Sequence, residues 1–249
     1  MGASVGSDCE HSSLKLHFPD KLKIVNLPRL YAILDASFFP NPDAMFRAAE
    51  QLVAGGCTFI QYRNKSGNAR IMLDQALTLK NLLAGDVPLL AEVAGSGKRV
   101  RLIMNDRADL CLAADFDGVH VGQDDLSPES VRQIIGPGDK ENARWLGVST
   151  HNPEQLRDAD RTSADYLAIG PIFATSSKAN PDPVVGVEGV RRARALTRKP
   201  LVAIGGITRA NAASVIEAGA DSVAVISDLL RDGPGSIRKS AEEFFRILR

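Results

Sequence analysis

Gln61, Arg63 and Lys65 stand two residues apart, directly after a short apolar run. In an extended chain, residues with this spacing point to the same side. One amide and two cations on one side suit a doubly charged anion such as a pyrophosphate, because Arg offers a planar fork and Lys a point charge. Taken alone, the segment fits a solvated strand exit with unrelated charges slightly better.

Carboxylates follow the next two apolar runs, in Asn105-Asp106-Arg107 and in Gly122-Gln123-Asp124-Asp125. Carboxylates at neighbouring strand ends can share a Mg²⁺ ion, which also binds phosphate oxygens. Helix capping is the alternative, since Asp124 or Asp125 could cap a helix beginning near Ser127. For Asp106, capping or a contact with Arg107 explains the residue equally well.

Ser149 and His151 form a Ser-x-His pair after the fifth apolar run. The pair hints at a nucleophile with its base, but adjacency in sequence does not create the geometry of a catalytic triad. His151 is better interpreted as a helix-start or substrate-binding residue. His120 lies inside an apolar run, which favours a core histidine with satisfied hydrogen bonds.

Later segments offer groups that could hold a second anion. Thr175, Ser176 and Ser177 precede Lys178 in a long loop, which resembles a phosphate-gripping lid as much as a plain flexible loop. Gly205-Gly206 and Ile226-Ser227 follow the last two apolar runs. Glycines let backbone N–H groups approach an anion, and a following helix N-terminus adds its dipole.

The elements that must position these residues form a repeating pattern of short apolar runs and helical segments. Near-continuous apolar runs are typical of parallel strands covered on both faces. Eight such units predict a single-domain α/β fold, a closed (β/α)₈ TIM barrel, whose active site lies at the carboxyl ends of its strands. An open doubly wound sheet is the weaker alternative, because no GxGxxG follows the first run. The predicted strands are Tyr31–Leu34, Thr58–Ile60, Arg101–Met104, Gly118–Val121, Trp145–Val148, Tyr166–Ile169, Leu201–Ile204 and Ser222–Ile226.

Helical spacing fills most of the intervals between these runs. Several segments begin with a capping residue followed by Pro, as at Ser127-Pro128 and Asn152-Pro153. The segment Ala84–Lys98 is an extra excursion, with a small helix predicted around Leu89–Val93. The predicted helices are Pro42–Val53, Ala69–Leu83, Ser127–Ile135, Pro153–Ala159, Val187–Leu196, Arg209–Ala218 and Ser236–Leu248, with a short crossover at Arg107–Asp115.

Composition narrows the class of protein. The chain has 249 residues, with 30 Lys and Arg balancing 30 Asp and Glu, which disfavours a nucleic-acid partner. No apolar stretch approaches the ~20 residues of a membrane span. Its 3 Cys include no CxxC pair, which suits a reducing, cytoplasmic location. We expect residues 1–28 to form a loosely ordered N-terminal extension, and residues 29–249 to form the barrel.

The order of motifs resembles the thiamine-phosphate synthase family over about Arg29–Leu230. The motifs are QYRNK, NDRADLCLAADFDGVHVGQDD, GVST-H, DYLAIGPIFATSSK, PLVAIGGI and AGADSVAVIS. The resemblance implies a (β/α)₈ barrel that joins hydroxymethylpyrimidine pyrophosphate to hydroxyethylthiazole phosphate and releases pyrophosphate with Mg²⁺. Its partners would then be small phosphorylated molecules, with no nucleic acid and no membrane, and a homo-oligomer is left open.

The resemblance also implies roles for single residues. Asp106 and Asp125 would bind Mg²⁺, and Ser149 would contact the pyrimidine. The thiazole phosphate would be held by Thr175, Ser177 and the backbone at Gly206, Ile226 and Ser227. The pyrophosphate end of the pyrimidine substrate would be held by Gln61, Arg63, Lys65, Asn105 and Lys178. Of these, Arg63, Lys65, Lys178 and Ser149 would serve the catalytic step.

Two other functions compete with this interpretation. The chain also resembles thiazole tautomerases, which share the barrel. They generally lack the GQDD carboxylate and the complete Gln-x-Arg-x-Lys set, both of which this chain has. A non-catalytic ligand-binding barrel is the second alternative, and it would have no need for a pair of Mg²⁺ carboxylates. The sequence leaves open whether the thiazole substrate is carboxylated.

Overall fold

Eight strands pair in chain order into a closed parallel barrel, so the (β/α)₈ prediction is confirmed and the open sheet is excluded. The computed structural model describes residues 26–84, 99–138, 143–175, 182–231, 233 and 235–249. The predicted helix around Leu89–Val93 and most of the extension 1–28 lie outside these residues. The strands are β1 Leu30–Asp35, β2 Phe59–Arg63, β3 Arg101–Asn105, β4 Gly118–Val121, β5 Trp145–Thr150, β6 Tyr166–Ile169, β7 Leu201–Ile204 and β8 Ser222–Val225.

Several strands run further than the apolar runs that predicted them. β2 continues to Arg63 instead of ending at Ile60, so Gln61 and Arg63 belong to the strand and do not follow it. The ladder persists because it joins backbone groups: Gln61 lies opposite Ile103, and Arg63 lies opposite Asp35. Polar side chains at these positions are accommodated because they face the open end of the barrel.

Helices connect the strands and cover the outside of the barrel. Asn41, Ser127 and Asn152 cap three of them through side-chain oxygens, each followed by Pro in the first turn. The helices are α1 Pro42–Ala54, α2 Ala69–Ala84, α3 Ala108–Ala113, α4 Pro128–Ile135, α5 Pro153–Asp160, α6 Gly186–Leu196, α7 Ala212–Glu217, α8 Ser227–Leu230 and α9 Ile237–Ile247.

One helix prediction is wrong at its start. The segment expected to be helical from Arg209 becomes α7 only at Ala212. The preceding residues form a turn, in which the Thr208 backbone N–H donates to Asn211 Oδ1 at 2.8 Å. The other helices begin and end within two residues of the predicted bounds. A 3₁₀ turn at Ala36–Phe38 and the short helix α8 were not predicted.

Apolar side chains form two layers. The outer layer lies between the strands and the helices, and includes Ile60 and Tyr62 of β2. The inner layer fills the barrel itself and includes Phe59 of the same strand. Leu27, just before β1, packs with this inner layer. The alternation along β2 therefore turns Gln61 and Arg63 to the inside, as their spacing predicted.

Three aspartates form equivalent contacts at the amino ends of the strands. Asp117, Asp165 and Asp221 each stand one residue before an even-numbered strand. Each carboxylate accepts the backbone N–H of a leucine in the preceding strand, at 2.7–2.8 Å. The N–H of each aspartate donates in return to the carbonyl of that same leucine, at 2.8 Å. We call these contacts the aspartate clamps; the leucines are Leu102, Leu146 and Leu201.

No helix within the described ranges is both long enough and apolar enough to cross a membrane.

Candidate active site

A cavity of about 520 Å³ opens at the carboxyl ends of the strands, a size typical of a small-molecule site. Every predicted site residue that the structure describes lines it. Ser177 and Lys178 lie outside the described residues. The predicted residues that line the cavity are Gln61, Arg63, Lys65, Asn105, Asp106, Asp125, Ser149, Thr175, Gly206, Ile226 and Ser227.

Both cations of the Gln-x-Arg-x-Lys segment line the cavity, and each pairs with a carboxylate. Arg63 pairs with Asp35, which ends β1 and is buried. The other oxygen of Asp35 accepts the Ser37 hydroxyl at 2.7 Å, so this carboxylate is held from two sides. Lys65 pairs with Asp106 from β3. Asp35 was not anticipated, although its position one residue after the first apolar run was visible in the sequence.

Asp106 and Asp125 lie side by side at the ends of β3 and β4. The pKa of the Asp125 carboxyl is raised, first because it is partly buried and also because Asp106 lies beside it, while the Gly122 N–H opposes the shift. That N–H donates to Asp125 at 2.7 Å. Asp106 has a φ of 63°, in the left-handed region that Asp tolerates better than most residues. Two neighbouring carboxylates beside an open cavity fit the oxygen ligands that Mg²⁺ prefers.

The alternative explanations for these carboxylates do not apply. Ser127, not an aspartate, caps α4. Arg107 pairs with Asp109 at 2.5 Å, so it is not the partner of Asp106. Within the described ranges, no group of three His, Cys, Asp or Glu side chains forms a metal site made by protein alone. A metal at the pair would therefore keep positions for water or substrate oxygens.

Polar side chains in the inner layer form the floor of the cavity. Tyr31 accepts from Gln61 Nε2 at 2.7 Å, and His120 Nε2 lies 2.8 Å from Ser149 Oγ. His120 is buried, as predicted, but it also lines the cavity. Burial lowers the pKa of His120 to about 4, which keeps its imidazole neutral near pH 7. Tyr31 was missed because it sits inside an apolar run.

The Ser-x-His pair does not form a nucleophile and base. The side chain of Ser149 contacts His120 instead of His151. His151 Nδ1 lies 2.6 Å from the carbonyl oxygen of Gly170, and its backbone N–H donates to Gln155 Oε1. His151 is thus held at the start of α5, on the cavity wall.

The opposite wall is made largely of backbone. Gly205 and Gly206 have φ values of 95° and 64°, which favour glycine. A Cβ on Gly206 would lie 2.5 Å from the Ala174 carbonyl oxygen, so the chain can pass here only without a side chain. Ile226 and Ser227 complete this wall at the start of α8. The amides of a helix start lack intrahelical partners and suit an anion.

Comparisons with known proteins agree with this architecture. The thiamine monophosphate synthase family model matches residues 30–229. A thiamine-phosphate synthase of Koribacter versatilis is 56% identical over 227 residues, covering 90% of this chain and 97% of its own. One from Chloroflexus aurantiacus is 44% identical over 80% of this chain and 83% of its own.

A solved structure extends the similarity to three dimensions. Thiamine phosphate pyrophosphorylase from Pyrococcus furiosus superposes with a TM-score of 0.70 at 31% identity, covering 88% of this chain and 95% of that one. The family-model match spans all eight barrel strands and the cavity residues between them. The chain therefore belongs to the thiamine monophosphate synthase family.

Proposed function

We propose that this enzyme joins hydroxymethylpyrimidine pyrophosphate to hydroxyethylthiazole phosphate, giving thiamine phosphate and pyrophosphate. The observation that carries the proposal is one cavity with two different anion-binding walls. Cationic side chains and a carboxylate pair form one wall, and glycine backbone with a helix start forms the other. A transferase that brings a pyrophosphate ester and a phosphate ester together needs both.

The pyrophosphate end of the pyrimidine substrate is assigned to the wall of β2 and β3. Arg63 and Lys65 provide positive charge there, with Gln61 and Asn105 as neutral hydrogen-bonding groups. Each cation also contacts a carboxylate, Arg63 that of Asp35 and Lys65 that of Asp106, and these contacts restrain the two side chains. Lys178 is assigned to the same end by the family resemblance.

Asp106 and Asp125 are assigned to Mg²⁺. The raised pKa of Asp125 beside Asp106 supports this assignment, because two carboxylates placed together are stabilised by a shared cation. When bound, Mg²⁺ would neutralise negative charge on the pyrophosphate as it leaves. Lys65 already contacts Asp106, so this cation and the carboxylate pair would act on the same group.

The thiazole phosphate is assigned to Thr175, Ser177, Gly206, Ile226 and Ser227. Backbone N–H groups and hydroxyls bind a phosphate without adding charge to the site. The loops after the last two strands are a frequent phosphate site in (β/α)₈ barrels. In this assignment the thiazole lies across the cavity from the pyrophosphate, with the pyrimidine between them on the polar floor.

The chemistry asked of the protein is positioning and charge stabilisation. As the methylene C–O bond breaks, pyrophosphate takes the bonding electrons, and the electron-rich aminopyrimidine carries the positive charge. The thiazole nitrogen then forms the new C–N bond with its lone pair. Arg63 and Lys65 stabilise the developing negative charge, and the neutral imidazole of His120 places no opposing charge under the pyrimidine. No protein nucleophile is needed, and Ser149 serves as a contact to the pyrimidine ring.

A pyrophosphate-release assay tests the proposal. Release is expected only when both substrates and Mg²⁺ are present, and it should collapse in Asp125→Ala or Lys178→Ala. Asp109→Ala is the matched control. It removes an aspartate that pairs with Arg107 outside the cavity, and it should keep full release. If Asp125→Ala kept full turnover at limiting Mg²⁺, the metal assignment would be wrong.

The same assay separates the alternatives. A thiazole isomerase would convert the thiazole substrate alone and release no pyrophosphate, and a binding protein would bind thiamine phosphate tightly without turnover.

We also propose that the enzyme is cytoplasmic. Cys57 and Cys111 support this, because both are buried as free thiols in the described part of the chain.

A further inference from the structure

Five side chains from five different strands form one hydrogen-bonded chain beneath the cavity. Gln61 Nε2 lies 2.7 Å from the Tyr31 hydroxyl, which lies 3.0 Å from the Tyr166 hydroxyl. Tyr166 in turn lies 3.1 Å from His120 Nδ1, and His120 Nε2 lies 2.8 Å from Ser149 Oγ. The chain begins and ends on residues that line the cavity.

The donor at one end gives this chain of hydrogen bonds a direction. The amide nitrogen of Gln61 can only donate, so the Tyr31 oxygen accepts from it. Tyr31 is 1% exposed, and its one hydroxyl hydrogen needs an acceptor inside the protein. Among the described residues, the Tyr166 oxygen is the acceptor within hydrogen-bond distance. Tyr31 therefore donates to Tyr166.

The direction continues through the imidazole. Having accepted from Tyr31, Tyr166 donates its own hydrogen to His120 Nδ1. A neutral imidazole has one N–H, and this contact places it on Nε2, from which it is donated to Ser149 Oγ. Ser149 accepts from His120, and its own hydroxyl hydrogen remains for an acceptor in the cavity.

Tyr166 is the link that does not touch the cavity. Its side chain is fully buried, and it stacks on His120 with ring centroids 5.5 Å apart. Gly147 on β5 makes the meeting of these two groups possible. A Cβ on Gly147 would lie 2.3 Å from the Tyr166 hydroxyl oxygen and 2.4 Å from His120 Nδ1. The missing side chain at this position is thus what leaves room for the contact.

We propose that Tyr166 is a positioning residue that fixes the tautomer of His120 and thereby makes Ser149 a hydrogen-bond donor toward the substrate. This inference rests on the proposed function for the identity of its ligand. A hydrogen-bond donor at Ser149 selects a heterocycle with an unprotonated ring nitrogen, and an aminopyrimidine has one. The direction of the hydrogen bonds themselves does not depend on the reaction.

Nitrogen-15 NMR of the ligand-free enzyme, labelled at its 4 histidines, tests the direction. The His120 signals are assigned by their loss in His120→Asn. At pH 7 we expect a protonated Nε2 and an unprotonated Nδ1, and in Tyr166→Phe a mixture of the two tautomers. A wild-type His120 protonated at Nδ1, or an unchanged tautomer in Tyr166→Phe, would overturn the proposal.

Tyr62→Phe is the matched control, because it also removes one hydroxyl from a fully buried tyrosine. The Tyr62 hydroxyl donates to Gln75 at 2.6 Å and takes no part in the chain under the cavity. The His120 signals should be unchanged in this variant. A tautomer shift of equal size in Tyr62→Phe would mean that the effect is general loosening, and the proposal would fail.

Kinetics then test the consequence for the substrate. In Tyr166→Phe, the KM for the pyrimidine substrate should rise about three- to tenfold, while the KM for the thiazole substrate stays unchanged. Two substrate analogues, each with one ring nitrogen replaced by C–H, should reveal one position at which wild type discriminates and Tyr166→Phe does not. Equal discrimination by both proteins would contradict the role of Ser149 as a donor.

The two proposals can fail separately. Absence of pyrophosphate release in wild type would refute the proposed function, while the NMR result would still decide the direction of the hydrogen bonds.

Discussion

Arg63 is held in place by a carboxylate on the neighbouring strand. Asp35 ends β1 directly opposite Arg63 in the ladder, and both of its oxygens are engaged, one by Arg63 and one by Ser37. The contact restrains a long side chain that would otherwise sample many rotamers. Asp35 therefore shapes the cavity wall formed by β2 and β3 without lining the cavity itself.

Asp35→Asn should loosen Arg63 while keeping the shape of the side chain. We expect the KM for the pyrimidine substrate to rise about tenfold, because a charge-assisted bond is replaced by a neutral one. Steady-state pyrophosphate release measures this, with Asp109→Asn as the control for losing an Asp–Arg pair elsewhere. An unchanged KM in Asp35→Asn would show that substrate alone orders Arg63.

His120 should make stability depend on pH in a defined window. Its folded pKa is about 4, lowered by burial, with Asp125 opposing part of the shift. The unfolded chain binds the proton near pH 6.5, so the free energy of unfolding falls as pH drops from about 6.5 to about 4. The full loss is about 3 kcal/mol.

Urea unfolding at several pH values between 7 and 4.5 measures this contribution. His120→Asn lacks the titrating group, so the difference in stability between wild type and variant should shrink as the pH falls. Parallel curves for the two proteins would show that His120 is not held neutral in the folded state.

At the site, the sequence predicted the residues that differ from their surroundings. Lys65, Asp106 and Asp125 stand out as charges after apolar runs, and the structure brings them to one cavity wall. Tyr31 and Tyr166 could not be found in this way, since an aromatic residue in a buried strand is indistinguishable from core packing. Their role depends on which strands face each other across the barrel, and that is decided by long-range register.

At the scale of elements, the aspartate clamps tie β3 to β4, β5 to β6 and β7 to β8. Asp165 has the most buried arginine partner of the three, Arg132, and it also accepts the Leu146 N–H at 2.7 Å. Without this carboxylate, the Leu146 N–H loses its acceptor, and the mostly buried Arg132 guanidinium loses its charged partner and keeps only backbone carbonyl acceptors. The clamps thus stabilise the amino ends of these strands, opposite the cavity.

Asp165→Ala should lower the free energy of unfolding by about 2–4 kcal/mol, with the KM of the residual folded enzyme unchanged. Urea denaturation gives the first quantity and pyrophosphate release the second. Asp158→Ala on α5, which removes an exposed pair with Arg161, should change stability by less than about 1 kcal/mol. Similar losses in the two variants would contradict the clamp.

Apolar runs located all eight strands, but not all of their ends. Strands β1, β2, β3 and β5 end one to three residues beyond their apolar runs, because the ladder needs only backbone groups and tolerates polar side chains near the cavity. The start of α7 was misplaced because Thr208 and Asn211 form a turn whose residues also suit a helix start. The aspartates before β4, β6 and β8 recur in the sequence, but their function depends on contacts with a different strand.

At the scale of the whole molecule, a balanced total charge says nothing about the concentration of charged side chains at the cavity. The 30 acidic and 30 basic residues cancel overall, while one cavity wall gathers Arg63, Lys65, Asp106 and Asp125. Because all eight strands contribute residues to this site, a ligand that binds it restrains the barrel as a whole. Ligand binding should therefore appear in global stability.

Pyrophosphate and Mg²⁺ together should raise the melting temperature by about 5–10 °C at a hundred times the dissociation constant. Asp125→Asn should lose the part of this shift that requires Mg²⁺ and keep the part produced by pyrophosphate alone. Differential scanning fluorimetry with each ligand, both, and both plus a chelator measures it. If Mg²⁺ added nothing to the shift by pyrophosphate in wild type, the carboxylate pair would not be a metal site.

The aspartate clamps also have a consequence for the order in which the barrel folds. They join residues only 15, 19 and 20 positions apart, whereas the seam between β1 and β8 includes a contact between residues 191 apart. Closing a loop ten times longer costs about 2 kcal/mol more in chain entropy. During refolding, the amides of Leu102, Leu146 and Leu201 should thus become protected from exchange before that of Val223 at the seam, so the barrel would assemble in strand pairs and close last.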